Sequence, residues 1–349
     1  MLDFNDVSLE TLVIHDVGNP THEEDLRVSK KPVEVEDELI LELLHKYFLK
    51  PFKGENFFRF QHETSLDFNE IYHYAKAIFA DPEACYLQSI NIARHLFKQS
   101  SHPNIKSGEL YTVYFKDIKV NGDYVDAIGL FKSENKETYL KIYQENNVYN
   151  VDQQTGVNIN KLDKGCLIFD LDQEEGYRVC MVDSTNKSSE VANYWQHDFL
   201  GLKPREDNFF HTKTVLDLCK GFCDDVFTPD NEVAKTDQLM LMDRSISYFQ
   251  KHEEFNVKQF EDEVIVDPGV IETFNNYKEG FLEQRDIKTY DEFDISEPAV
   301  KGQKKFFKSV LKLDKKFHIY IHGGHDYIES GFDEERNMRY YKLFFMKES

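Results

Sequence analysis

The chain has 349 residues, 40% of them hydrophobic and 14% aromatic, and a formal net charge of -22 at pH 7. That apolar supply fills sizeable cores and excludes wholesale disorder, and no apolar run reaches the roughly 18 residues of a membrane-spanning helix. The charge opposes non-specific attraction to phosphate or anionic lipid, so any nucleic-acid surface has to be local.

The opening residues, MLDFNDVSLE, are acidic and place no basic region ahead of an apolar one. They argue against a signal peptide and for a cytoplasmic chain without membrane contact. VSLETLVIHDVGN (7–19) then reads as a strand ending in a Gly18-Asn19-Pro20 turn. From about Glu36, PVEVEDELILELLHKYFLKPF gives a helix with Leu39, Leu43 and Tyr47 on one stripe, stopped at Pro51. Two more helices follow over 65–80 and 81–100, the second with Asp81 as N-cap and Pro82 in its first turn.

At Glu109 the period changes from helical to alternating. GELYTVYFKDIKV, DYVDAIGLFKS, TYLKIYQE, GCLIFDLDQ and GYRVCMVD are strand-like runs between about 108 and 183. Turns at Asn121-Gly122, at 133–136 and at 172–176 join them, and connections this short predict an antiparallel meander. Helical patterns return over 188–202, 212–227, 231–252, 257–265 and 267–284. KKFFKSVLKLD, KFHIYIH, HDYIES and RYYKLFFMK close the chain as strands. The fold class is therefore α+β: an antiparallel sheet-rich N-terminal half with helices, then a helical second half closed by a small C-terminal antiparallel sheet. A boundary near 205 would separate residues 1–205 from 206–349, if the two halves are not one domain.

Few residues suggest chemistry. Phosphate-loop, dinucleotide-loop, nucleophile-elbow and zincin patterns are absent. The five cysteines, Cys85, Cys166, Cys180, Cys219 and Cys223, are odd in number and scattered, as in a reducing compartment. Cys219 and Cys223 in CKGFC would stack on one helix face; without a second ligand pair they read as core thiols, and no metal is expected. Asp126, Glu134 and Lys136 spell a D-x7-ExK nuclease pattern, two carboxylates for Mg²⁺ and a lysine beside water, but the ExK falls in an expected solvated turn. DLDQEEG (170–176) reads as a turn, with Gly176 supplying positive φ.

The charge is uneven. Residues 224–297 hold 13 more acidic than basic side chains, whereas 301–316 holds seven lysines against one aspartate. Lys301, Lys304, Lys305, Lys308, Lys312, Lys315 and Lys316 are either a solvated rim that blunts a strand edge or phosphate contacts, with Phe306 and Phe307 packed inside or free to stack. In FHIYIHGGHDYIES (317–330), a two-residue Gly323-Gly324 loop would pair His322 with His325, Tyr320 with Tyr327 and His318 with Glu329. The stretch then reads as a hairpin whose histidines extend the basic surface below about pH 6.5.

Taken together, VIHDVGN (13–19), SGELYTVYFKD (107–117), DAIGLFKSE (126–134), KGCLIFDLDQEEGYRVCMVD (164–183), NYWQHDFLGL (193–202) and the closing YYKLFF resemble the NdpA family of nucleoid-associated bacterial proteins, in its Bacteroidetes-type branch. The resemblance implies a cytoplasmic protein of the nucleoid, in direct or indirect contact with DNA, with no enzymatic activity and no cofactor. The leading expectation is DNA binding through the seven lysines. A second is an interaction protein whose acidic half, about 212–297, engages a DNA-processing enzyme; a third is a divergent metal-dependent nuclease. A homo-oligomer is compatible with all three.

Overall fold

The computed structural model describes residues 2–54, 56–184, 194–228, 231, 233–285, 287–288, 290–307, 310–313, 316–321 and 327–347, without side chains at Lys312 and Ser330. It divides into two compact units, Met1–Arg205 and Glu206–Ser349.

The first unit is built on one antiparallel sheet. In chain order its elements are β1 (Leu2–Asp3), β2 (Ser8–Val17), β3 (Leu26–Arg27), α1 (Glu38–Leu49), β4 (Phe58–Phe60), α2 (Glu70–Ala80), α3 (Cys85–Gln99), β5 (Gly108–Val120), β6 (Asp123–Ser133), β7 (Glu137–Glu145), β8 (Val148–Gly156), β9 (Lys164–Phe169), β10 (Arg178–Asp183) and β11 (Leu202–Pro204). The strand order is β11-β4-β10-β9-β6-β5-β2-β3, with β1 also on β5. Turn chemistry sets the joints. Asn121 and Gly122, both at positive φ, close the tight β5–β6 hairpin. Gly176 has φ 98, and a Cβ there would stand 2.5 Å from the Phe60 carbonyl oxygen, so only glycine fits.

Helices cover both faces of this sheet. Asp37 caps α1 by accepting from the Leu39 and Ile40 amides at 2.8 and 3.2 Å. This helix lays Tyr47, Phe48 and Leu49 over Tyr111, Val113, Phe115, Phe131 and Leu167. On the other face α2 and α3 bring Ile71, Ile78, Ile92 and Leu96 against Leu110, Ile128, Leu130, Ile168 and Val179. Central strands buried on both sides explain why AIGLF and GCLIF read as continuous apolar runs rather than alternating ones.

The meander is present with one insertion. β6 pairs with β9, while among the described residues β7 and β8 pair only with each other. The sequence reading placed a β6–β7 hairpin there and missed β8, whose VYNVDQQTG is polar and never enters a core.

The second unit holds α4 (Asn208–Asp225), α5 (Lys235–Lys251), β12 (Glu254–Asn256), α6 (Val257–Phe260), α7 (Pro268–Glu283), β13 (Glu292–Asp294), α8 (Glu297–Gln303), β14 (Val310–Leu313), β15 (Phe317–Tyr320), β16 (Ile328–Asp333) and β17 (Met338–Leu343). Its core is rich in phenylalanine: Phe222, Phe249, Phe255, Phe260, Phe274 and Phe293 all lie within one cluster. Phe255 and Phe293 are cross-strand partners with stacked rings 4.7 Å apart.

Two local expectations are corrected. Of the expected 188–202 helix, 194–199 forms a wide helical turn, β11 begins at Leu202, and residues before 194 lie outside those described. KKFFKSVLKLD is not one strand: Lys304–Phe306 forms a 3-10 turn that continues α8, and the strand begins only at Val310. Among the described residues β15 pairs with β14 and β16 with β17, so His318 opposes Lys312, Tyr320 opposes Val310 and Glu329 opposes Lys342; the expected Gly323-Gly324 turn lies outside those residues. That register opposes Leu311 to Ile319, and both join Leu239 in a small apolar cluster. His322 and His325 lie outside the described residues. No helix among the described residues is long and apolar enough to cross a membrane. The α+β class stands.

Candidate nucleic-acid interface and a buried lysine pair

The lysine-rich stretch divides by element. Lys301, Lys304, Lys305 and Lys316 are exposed; Lys308 and Lys315 lie outside the described residues, as does the Lys312 side chain. Lys301 is committed to Glu297 one helical turn earlier, at 2.6 Å. Among the described residues Lys304, Lys305 and Lys316 make no ion pair. Phe307 packs into the core, while Phe306 is 47% exposed. The Lys305 ammonium lies 4.8 Å from the Phe306 ring centroid, and Lys220 of α4 approaches the same ring at 5.7 Å. An exposed aromatic face flanked by cations is the arrangement on which a nucleobase stacks while its phosphates are neutralised.

Lys220 was missed in the sequence. It lies more than 80 positions before Phe306 and reaches it only because α4 packs on α8, where Gln303 Nε2 donates to Asp217 at 2.8 Å. Beside this site, a groove along α4 and α7 carries Lys213, Lys220 and Arg285 together with Asp217 and Asp225. Lys213 pairs with Asp217 at 2.6 Å, Lys220 with Asp224 at 3.5 Å, and Tyr277 donates to Asp225 at 2.6 Å. Mixed signs of this kind make a poor phosphate track, unlike the Lys304–Phe306 turn beside it, whose lysines make no ion pair among the described residues.

The nuclease pattern is not assembled. Asp126 and Glu134 stand eight residues apart along one extended stretch, about 26 Å at strand rise. Asp126 Oδ2 accepts from the Tyr114 phenol at 2.5 Å, and Lys136 pairs with Glu109. Glu134 is not at a solvated tip, as the turn reading expected: its side chain is 5% exposed and pairs with Lys132 at 3.1 Å. Asp163 fixes the turn, accepting from the Glu134 and Asn135 amides at 2.8 Å and from Asn135 Nδ2 at 2.9 Å.

That pairing belongs to a buried network the sequence did not reveal. Lys132 and Lys164 are cross-strand partners on β6 and β9, and both side chains are fully buried. Lys132 Nζ donates to the Lys106 carbonyl at 2.6 Å, to Glu134 and to the Tyr194 phenol, each at 3.1 Å. The Tyr194 phenol donates to Glu134 at 2.8 Å. Lys164 Nζ donates to Asp183 Oδ2 at 2.7 Å. Both ammonium groups lie near the Tyr194 ring, at 5.5 and 5.1 Å from its centroid. Burial pushes the Lys132 pKa down against the pull of Glu134, and burial with Glu134 pushes the Tyr194 phenol up. The network ties together DAIGLFKSE, the strand beginning KGCLIF and the YW turn, which are segments that carry the family resemblance.

The cysteines are core residues. Cys219 and Cys223 face the α4 core, and burial pushes the Cys219 thiol up to about 12 and Cys223 higher still. Among the described residues no group of three His, Cys, Asp or Glu side chains is arranged to hold a metal ion. In the first unit His62, His95 and His197 share a cleft with Glu63, Glu70 and Asp198. His95 Nε2 donates there to the Phe199 carbonyl at 3.0 Å.

A search of curated proteins finds no match. A family model described as nucleoid-associated protein YejK matches residues 13–337, so it reaches into both compact units and covers every segment of the NdpA resemblance read from the sequence except the closing YYKLFF. By that match over nearly its whole length, the chain belongs to the family of nucleoid-associated protein YejK.

Proposed function

We propose that the protein is a non-enzymatic nucleoid-associated protein of the bacterial cytoplasm that contacts DNA through the Lys304–Phe306 turn. Lys304, Lys305 and Lys316 supply phosphate contacts, with Lys308, Lys312 and Lys315 on the same stretch and Lys301 behind its partner Glu297. The observation that carries this reading is the exposed Phe306 ring with the ammonium groups of Lys305 and Lys220 both near it. Family membership supports the association with the nucleoid. The net charge of -22 restricts the contact to a local surface, and its phosphate contacts, by releasing counterions, make the binding salt-dependent.

A second reading is favoured by the pairing of Lys213, Lys220 and Lys301 with carboxylates, which leaves few cations for phosphate. In it the acidic helical half, about 212–297, engages a DNA-processing protein, and DNA is reached indirectly. Fluorescence anisotropy with DNA across a salt series separates the two. Direct contact gives binding whose logarithm falls linearly with the logarithm of salt, and loss of DNA retention in Lys304→Glu/Lys305→Glu/Lys316→Glu. Unchanged retention in that variant rejects the lysine surface. Wild-type protein that binds no DNA at low salt favours the partner reading, which a pull-down surviving nuclease treatment then supports.

A further inference from the structure

Along α7, Phe274, Lys278 and Leu282 follow one another at i+4 spacing, so a lysine stands in a row that otherwise packs on the phenylalanine core. Along α4, His211, Thr214, Val215 and Leu218 form a stripe at i, i+3, i+4 and i+7. Between these two stripes lies an apolar cavity, walled further by Phe260 of α6 and by the stacked cross-strand pair Phe255 and Phe293. The phenylalanine walls are buried, whereas Tyr290 is 44% exposed and Lys288 is exposed, so the cavity opens on their side. Inside, the centres of water-sized spheres have about 40 Å³ to move in, which is room for about three waters. Walls of this kind offer water no hydrogen bonds and favour an apolar occupant.

The charge of the lining reverses that of its surroundings. Residues 224–297 hold 13 more acidic than basic side chains. No carboxylate lines this cavity, yet Lys278 and Lys288 both do, and neither makes an ion pair among the described residues. His211 on the same lining is neutral at pH 7, because burial lowers its pKa. An occupant therefore meets aromatic walls and two unneutralised ammonium groups.

We infer that this cavity binds a small monocarboxylate, its short unbranched tail between the phenylalanines and its carboxylate paired with Lys278 and Lys288. Room for about three waters admits a tail of about three or four carbons. Acetate is too short to fill that space, and a long-chain fatty acid is too long to enter it. The cavity shares no residue with the Lys304–Phe306 turn, so the inference stands whether or not that turn contacts DNA.

Calorimetric titration of the full-length protein with sodium acetate, propionate, butyrate, pentanoate and octanoate tests this, with sodium chloride at equal ionic strength as the blank. Affinity should rise about four-fold with each added methylene until the tail fills the cavity, and fall again at octanoate. Butylamine, with a similar tail and the opposite charge, should give no binding. Lys278→Met/Lys288→Met keeps the apolar stems and should weaken pentanoate about tenfold or more, at an unchanged melting temperature. Lys301→Met/Lys316→Met removes two lysines elsewhere and should bind pentanoate as the wild type does. A wild type that binds none of the carboxylates at tens of millimolar overturns the inference. Affinity that ignores tail length means an adventitious ion only, and overturns it too. So does pentanoate binding that survives Lys278→Met/Lys288→Met unchanged, or butylamine binding as tight as that of butyrate.

Discussion

Lys132 and Lys164 stand opposite each other across the β6–β9 ladder, both fully buried, with the Tyr194 ring beside both ammonium groups. Like charges directly across a ladder destabilise it unless each is neutralised in place. Here Glu134 and Asp183 do that, at 3.1 and 2.7 Å. Lys132→Met would leave the Glu134 carboxylate buried without its cation, at a cost of about 3 kcal/mol or more. The double variant Lys132→Met/Glu134→Gln removes both charges and should lose clearly less than the two single variants summed, because the partners are coupled. Urea midpoints at unchanged denaturant slope measure both.

Phe306 separates stacking from charge. If bases stack on its ring, Phe306→Ala should weaken single-stranded DNA binding by about 1–3 kcal/mol and duplex binding much less. Lys305→Gln should weaken both and lower the slope of log affinity against log salt by about one. Anisotropy titrations of the two variants with both DNA forms distinguish these patterns. A Phe306→Ala protein with wild-type affinity for single strands would remove the ring from the interface.

What the sequence made legible follows from what each element depends on. β6 and β9 are plain in AIGLF and GCLIF because burial on both faces imposes an unbroken apolar run. The helices were placed to within a few residues where an aspartate caps them, as Asp37 and Asp267 do. Lys132 and Lys164 were illegible because a lone lysine at a strand end looks solvated; their burial depends on Tyr194, 62 positions after Lys132. The Gly323-Gly324 turn read in the tail lies outside the described residues; the pairing of Leu311 with Ile319 beside Leu239 was not legible because the contact with Leu239 is not local. Lys220 joined the candidate interface only through packing of α4 on α8.

The five cysteines are all buried and unpaired, and burial drives the Cys85, Cys180 and Cys219 thiols each up to about 12. A thiol that holds its proton this tightly is a poor nucleophile at neutral pH. Native protein should therefore react slowly with a chromogenic disulfide reagent, and in urea the reaction should rise with the unfolding transition until five thiols are titrated. A strong chelator should leave the melting temperature unchanged, whereas a fall that is absent in Cys219→Ser/Cys223→Ser would mean that CKGFC holds a metal.

His15 supplies the pH dependence. Its Nε2 donates to the Ser89 hydroxyl at 2.9 Å, and its Nδ1 accepts from the Ser29 amide at 3.1 Å. A ring whose second nitrogen accepts an amide proton is neutral, and burial pushes its pKa below the ordinary 6.5. Burial lowers His45, His95 and His211 in the same direction. The sign follows directly. Between the lowered native value and 6.5 the unfolded chain binds protons that the native chain refuses, so stability falls as pH drops through that window. Melting temperature should hold from pH 8 to about pH 7 and decline below about 6.5. His15→Gln keeps a donor and an acceptor of similar reach but cannot titrate. It should lower stability at pH 7 while making the decline between pH 6.5 and 5 shallower. A decline of unaltered steepness would show that the other three histidines carry the acid sensitivity without it.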